Sequence, residues 1–222
     1  MFGPNAVVTH SAAQRDSERT EGFRWLFDGR SAAAWRGWRM DSMPAGWHVA
    51  DSVLADAVPG GGDIITRDTF ANFELRLDWK LEPGGNSGIM YHVRDPQADS
   101  EATYMSGPEM QVLDDSGYAD GRNRLTSAGA DYALYPSPPY VVRRPGQWNE
   151  VRIIVNGAHV EHWLNGVKVV DYELWSPDWR QKVAASKFRQ WPEYGMSHAG
   201  HIALQDHTGR VYFRDIRIKV LP

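Results

Sequence analysis

The alternation over Phe73–Leu81 constrains this chain more than any other feature. Phe73, Leu75, Leu77 and Trp79 alternate with Glu74, Arg76, Asp78 and Lys80. A two-residue period puts one set of side chains on each face of a sheet, so the segment predicts a strand that is half apolar and half wet. Other segments repeat the theme. Residues 47–57 read as two short strands about Asp51-Ser52, and residues 64–66, 87–94 and 109–113 as further strands. Asn156-Gly157 and Asn165-Gly166 divide residues 149–172 into a meander, because both dipeptides accept the positive φ of a tight hairpin turn. Residues 201–207 and 210–221, joined at Thr208-Gly209, predict a closing hairpin. Residues 176–186 predict the one short helix.

Nothing in this order alternates strand with helix. The expected fold is therefore all-β, a two-sheet antiparallel jelly-roll sandwich with a groove on one concave sheet. Residues 114–145 are rich in Gly, Ser and Pro and predict a long irregular loop, a length that usually serves as a lid or rim. Residues 1–20 are polar, small and aperiodic. They predict a flexible N-terminal arm ahead of a single domain over 21–222.

Composition narrows the function. There is no cysteine, which excludes a disulfide, a thiolate metal site and a cysteine nucleophile. The 24 basic residues are mixed with 28 acidic ones and form no basic block, so nucleic acid is not an expected partner. No apolar run approaches the ~20 residues that cross a membrane. The N-terminal segment lacks the pattern of a secretory signal, so the cytoplasm is the expected compartment. Ten tryptophans and nine tyrosines suit stacking on sugar rings, although any single tryptophan is more often core.

Strand phase nominates polar residues. In Glu109-Met110-Gln111-Val112-Leu113, Met110 and Val112 face the core, and Glu109 and Gln111 the open side. In the run from His201 to His207, Ile202 and Leu204 face inward, and His201, Ala203, Gln205 and His207 outward. His162 and Trp163 must point oppositely. Trp163 inward and His162 outward is the expectation, since a buried imidazole needs partners. Gly84-Gly85-Asn86-Ser87-Gly88 leads into the strand carrying Tyr91 and His92. Each of these also has an ordinary reading as exposed strand, surface histidine or turn cap. His92, His162, His201 and His207 with Glu109 have the residue types for a divalent metal ion. No zinc-protease helix, nucleophile elbow, phosphate loop or dinucleotide fingerprint occurs.

In combination the motifs resemble the 3-keto-disaccharide hydrolase family. The matching stretches are Trp25-Leu26-Phe27-Asp28-Gly29, Gly85-Asn86-Ser87-Gly88-Ile89, Glu109-Met110-Gln111-Val112-Leu113-Asp114, Gly146-Gln147-Trp148-Asn149, His162-Trp163-Leu164-Asn165-Gly166, Ile202-Ala203-Leu204-Gln205-Asp206-His207 and Phe213-Arg214-Asp215-Ile216-Arg217-Ile218-Lys219. The resemblance implies a concanavalin-type jelly roll acting on small glycosides whose sugar carries a ketone at C3. Such a ketone acidifies the C2 proton, so a base can form an enolate and expel the group on C1. Rehydration would make the outcome a net hydrolysis. This chemistry needs a base near neutrality and a stabiliser for the enolate.

Phase and resemblance together assign His162 or His207 as the base and Glu109 as proton partner or metal ligand. Gln111, Gln205, Asn86, Tyr91, His92 and Lys187 then become substrate contacts. A divalent ion on Glu109, His162 and His207 is the one cofactor entertained, and a homo-oligomer is left open. Two other readings compete. One is a non-catalytic carbohydrate-binding module; the other is a conventional glucanase using Glu109, against which Gln111 counts by standing where a second carboxylate is wanted.

Overall fold

The computed structural model describes residues 11–58, 60–98 and 101–222. Thirteen strands form two antiparallel sheets: β1 (Arg24–Phe27), β2 (Trp35–Gly37), β3 (Trp47–Ala50), β4 (Val53–Asp56), β5 (Ile64–Thr66), β6 (Phe73–Leu81), β7 (Asn86–Val93), β8 (Glu109–Leu113), β9 (Asn149–Asn156), β10 (His159–Leu164), β11 (Val167–Glu173), β12 (His201–Leu204) and β13 (Val211–Val220). The large sheet runs β11-β10-β9-β6-β13-β4-β3, with β1 also pairing β13. The small sheet runs β2-β5-β12-β7-β8. This is the jelly-roll sandwich of the concanavalin type.

The alternating strand behaves as its period requires. Phe73, Leu75, Leu77, Trp79 and Leu81 enter one core with Ile89, Tyr91, Met110, Val112, Ile202 and Leu204 from the opposite sheet. On the other face, Glu74 holds Arg76 and Arg152, each at 2.7 Å. Helix α2 (Pro177–Ala185) falls within the predicted segment; Ser176 caps it by accepting from the Trp179 amide at 3.1 Å.

Local turn chemistry also holds. Asn165 and Gly166 both take positive φ, at 50° and 81°, between paired Leu164 and Val167. The Asn165 side chain accepts from the Glu150 amide and donates to the Val141 carbonyl. Replacing Asn165 with Ala should therefore cost about 2 kcal/mol, part from left-handed strain and part from lost hydrogen bonds. Urea denaturation measures it as a lower midpoint with unchanged slope.

Two expectations fail. Residues 201–221 do not form a hairpin. β12 pairs β5 and β7 in the small sheet, whereas β13 pairs β1, β4 and β6 in the large one. The connection after Leu204 crosses from one sheet to the other, because each strand has an apolar face to bury against a different layer. The second failure is the arm. Residues 1–10 lie outside the described residues, but Ala12–Thr20 is a helix, α1, with a Ser11–Gln14 capping box. Glu18 ties α1 to the large sheet through Arg217 at 2.6 Å.

Candidate functional site

The open face of the small sheet gathers polar side chains from three strands. Registers pair Gly88 with Gln111 and Met90 with Glu109, and pair Ala203 with both Met90 and Ile65. Glu109, Met90, Ala203 and Ile65 thus make one cross-strand row, with Gln111 and Gly88 in the next. Gln205 shares the phase of Ala203, and Asn86 that of Gly88. Trp38 and Tyr104 pack against Ile65, Met90, Val93 and Ala203, so loops cover the middle of this face.

Glu109 stands at the end of that row, 6% exposed. Gly88 makes the position available, since a Cβ there would lie 2.2 Å from Glu109 Oε1 and 2.7 Å from its carboxyl carbon. Gly88→Ala should displace the carboxylate without breaking the backbone pairing, because the obstructing atoms belong to a side chain that can swing. A misplaced catalytic group loses rate steeply with distance. The expected result is about a 10-fold fall in turnover at nearly unchanged melting temperature, read by steady-state kinetics beside calorimetry.

Burial raises the Glu109 carboxyl to about 8, with Lys187 pulling the other way and Asp63 and Asp120 reinforcing the rise. A carboxyl that exchanges its proton near neutrality suits acid–base work. Lys187 opens the short 3-10 turn Lys187–Gln190 after α2. Its Nζ lies 4.2 Å from the centroid of the Tyr132 ring and 5.3 Å from that of Phe188. Partial burial lowers its pKa, opposed by Glu109 and Asp120. The Tyr132 hydroxyl donates to Asp120 at 3.2 Å.

Gln111 donates from Nε2 to the Thr126 carbonyl at 3.2 Å. Its buried Oε1 meets no protein donor among the described residues. Asp63 borders the group. It accepts from the Thr103 hydroxyl and, at 3.0 Å, from the Asp206 amide, and burial raises it to about 6. Tyr104 and Trp191 meet edge to face at 5.4 Å beside Lys187.

The structure puts Glu109, Gln111, Gln205 and Asn86 on one face, as their strand phases require, with Lys187 reaching it from the turn after α2, but it takes the histidines elsewhere. His162 points inward, fully buried between the sheets, and Trp163 points outward. His162 can stay there because Gly129 O lies 3.3 Å from Nδ1 and the Tyr91 hydroxyl 2.9 Å from Nε2. Burial lowers its pKa to about 4, so it is neutral. Outside, Trp163 stacks under Arg152 and donates to Glu161 at 2.6 Å.

Tyr91 belongs to the same interior, bonded also to Tyr172 at 2.7 Å, and cannot reach a ligand on the open face. His92 is buried at positive φ, with Nε2 2.8 Å from the Ala71 carbonyl oxygen. His207 lies past the end of β12, exposed, with Nδ1 2.8 Å from the Thr208 hydroxyl. Glu109, His162 and His207 therefore make no common ligand set. Among the described residues, the trio whose ligand atoms come within 4.8 Å of one another is His159, Glu161 and Asp171, on the outer face of the large sheet. There the Lys168 ammonium already pairs with both carboxylates.

Residues missed from sequence include Asp63, which shares the phase of Ile65 two positions on and was legible. Tyr132 and Asp120 lie in the irregular stretch, where no period locates a side chain.

Comparison with known proteins matches this architecture. The sequence pattern of the 3-keto-alpha-glucoside-1,2-lyase-like domain fits residues 22–219. A protein from Bacteroides thetaiotaomicron named 3-keto-disaccharide hydrolase is 35% identical, over 95% of this chain and 83% of its own. A candidate glycosyl hydrolase from Parabacteroides distasonis, known from a crystal structure, superposes with a TM-score of 0.85 at 32% identity, covering 93% of this chain and 97% of that one. The exoplasmic/lumenal domain of VIP36, with a TM-score of 0.53 and 8% identity over 91% of this chain and 89% of its own, shares the sandwich fold alone. With the matched pattern running over residues 22–219 of 222, the chain belongs to the 3-keto-alpha-glucoside-1,2-lyase-like domain family.

Proposed function

We propose that the chain is a glycoside-cleaving enzyme acting on sugars oxidised to a ketone at C3, with Glu109 as the base that removes the C2 proton. The observation that carries the reading is one side chain: a carboxyl buried at the open face, held at about 8, with no hydrogen bond from a neighbouring side chain among the described residues. Support for the substrate comes from the B. thetaiotaomicron relative, whose name specifies 3-keto disaccharides.

The steps follow from the residues. Glu109 takes H2, and the C2–H electrons become an enolate spread over C2, C3 and the ketone oxygen. The Lys187 ammonium balances that charge. Collapse of the enolate forms a C1–C2 double bond and breaks the C1–O bond, and the departing oxygen takes a proton from water. Water adding back at C1, with a proton returning to C2, makes the net change a hydrolysis. The Gln205 amide holds ring hydroxyls, and Gln111 and Asn86 lie on the same face. No imidazole is needed, because burial has placed a carboxyl where histidine ordinarily titrates.

The test is release of aglycone from a 3-keto glycoside beside its unoxidised parent. Release from the oxidised substrate alone, slowed by deuterium at C2, is the expected outcome. Cleavage of the parent at an equal rate would overturn the reading in favour of a conventional glycosidase. Binding without release would favour a carbohydrate-binding module.

A further inference from the structure

The buried histidine that the mechanism leaves unused sits at one end of a chain of polar groups inside the core. Gly129 O can only accept, so His162 carries its proton on Nδ1. Neutral imidazole then accepts at Nε2, which makes the Tyr91 hydroxyl the donor at 2.9 Å. With its proton committed, Tyr91 must accept from Tyr172 at 2.7 Å. Tyr172 in turn lies beside Asp131, a fully buried carboxyl whose pKa burial raises well above the usual carboxylate range. One terminal carbonyl thus fixes the direction of every bond from Tyr172 to Gly129.

Both ends of the chain rest on the same loop. Residues 129–132 run alongside β8 as an added strand: Gly129 donates to Gln111 O, Gln111 to Ala130 O, and Tyr132 to Glu109 O, at 2.8, 3.0 and 3.0 Å. Alternation sends Asp131 into the core and leaves Tyr132 on the open face. There the Tyr132 ring carries Lys187, and its hydroxyl carries Asp120.

From this juxtaposition we infer that His162, Tyr91 and Tyr172 are positioning residues: they latch the 129–132 segment from inside and so hold Lys187 at Glu109. The inference rests on the catalytic reading of Glu109 above. It gives the interior histidine a task that neither a surface base nor a metal ligand would perform.

The sign of the effect follows from the charges around Glu109. Lys187 faces it from the turn after α2, Asp63 from ahead of β5, Asp120 from the long loop, and the buried Asp131 from beneath. Of the charged groups Lys187 acts most strongly, so loosening the latch raises the Glu109 pKa.

The experiment compares Tyr91→Phe, His162→Gln and Val160→Ala with wild type. Tyr91→Phe breaks the chain at its centre. His162→Gln keeps one donor and one acceptor. Val160→Ala loosens the same strand without touching the chain. Carboxyl-carbon NMR of Glu109 reads the positioning without turnover. The expected results are an upward shift in Tyr91→Phe, little change in the other two, and about a 10-fold fall in kcat for Tyr91→Phe alone with KM nearly unchanged. A Glu109 titration in Tyr91→Phe that matches wild type, or an equal shift in Val160→Ala, overturns the inference. If no variant, wild type included, cleaves a 3-keto glycoside, the catalytic reading fails while the NMR comparison still decides the latch.

Discussion

Glu109→Gln should lower turnover of a 3-keto glycoside by a factor of about 10²–10⁴, the range spanned by loss of a positioned general base. The amide is nearly the same size and sits in the space left by Gly88, so the site keeps its shape. What disappears is the carboxylate assigned to accept H2. The pH profile separates this role from its opposite. A base must be ionised, so kcat/KM in wild type should rise with pH and level off above about 8. A general acid at the same position would give the mirror image, with activity lost through that range.

Stability should move the other way. The folded state raises the Glu109 pKa from 4.5 to about 8. A raised value means that its contribution is fully present below the unfolded value and is lost as pH rises through the folded one. Wild type should therefore weaken between roughly pH 4.5 and 8 from this group. Glu109→Gln does not titrate, so its melting temperature relative to wild type should climb over that window. A substitution that abolishes activity while stabilising the fold at pH 9 is hard to assign to a structural residue. Loss of both together would remove Glu109 from the catalytic role.

That the sequence places Glu109 on the correct face, and His162 on the wrong one, has a physical explanation in the same two-residue period. Met110 and Val112 fix the phase of β8, and their demand for the core leaves Glu109 and Gln111 no other face. The same argument was available for β10, where Val160 and Leu164 flank His162 in phase and point it inward. Side-chain hydrophobicity argued the reverse, favouring Trp163 for the core. Phase wins because a one-residue slip would expose Val160 and Leu164 together. Trp163 is kept outside at small cost by Arg152 and Glu161. The partners that make a buried imidazole tolerable come from Tyr91 and Gly129, which are 71 and 33 residues away in sequence.

Separation in sequence marks the rest of what stayed hidden. The meander β9-β10-β11 was legible because adjacent strands share one turn. The split of β12 and β13 between sheets was not, because nothing in residues 205–210 says which layer each strand will join. The Ser11–Gln14 capping box was a readable helix start, masked by the polar composition of the segment that follows. Tyr132 and Asp120 reach the site only through the loop that β8 pins in place.

Lys187→Met should reduce kcat by about 10²-fold, the scale seen when a preorganised group facing a developing oxyanion is removed. Methionine preserves most of the packing on Tyr132 and Phe188 and deletes only the ammonium. Because that charge opposes the rise in the Glu109 pKa, its loss should push the carboxyl above 8 and move the pH limb of kcat/KM upward. The two effects differ in kind. The pKa shift alone would be cured by raising the pH, since full ionisation of Glu109 restores the base. Loss of charge stabilisation would not be cured, because the enolate still lacks its counterion. Rate measurements extended to pH 10 therefore divide the loss. A Lys187→Met enzyme that regains wild-type kcat at high pH would show that Lys187 only tunes Glu109; a residual deficit across the plateau places its charge on the enolate itself.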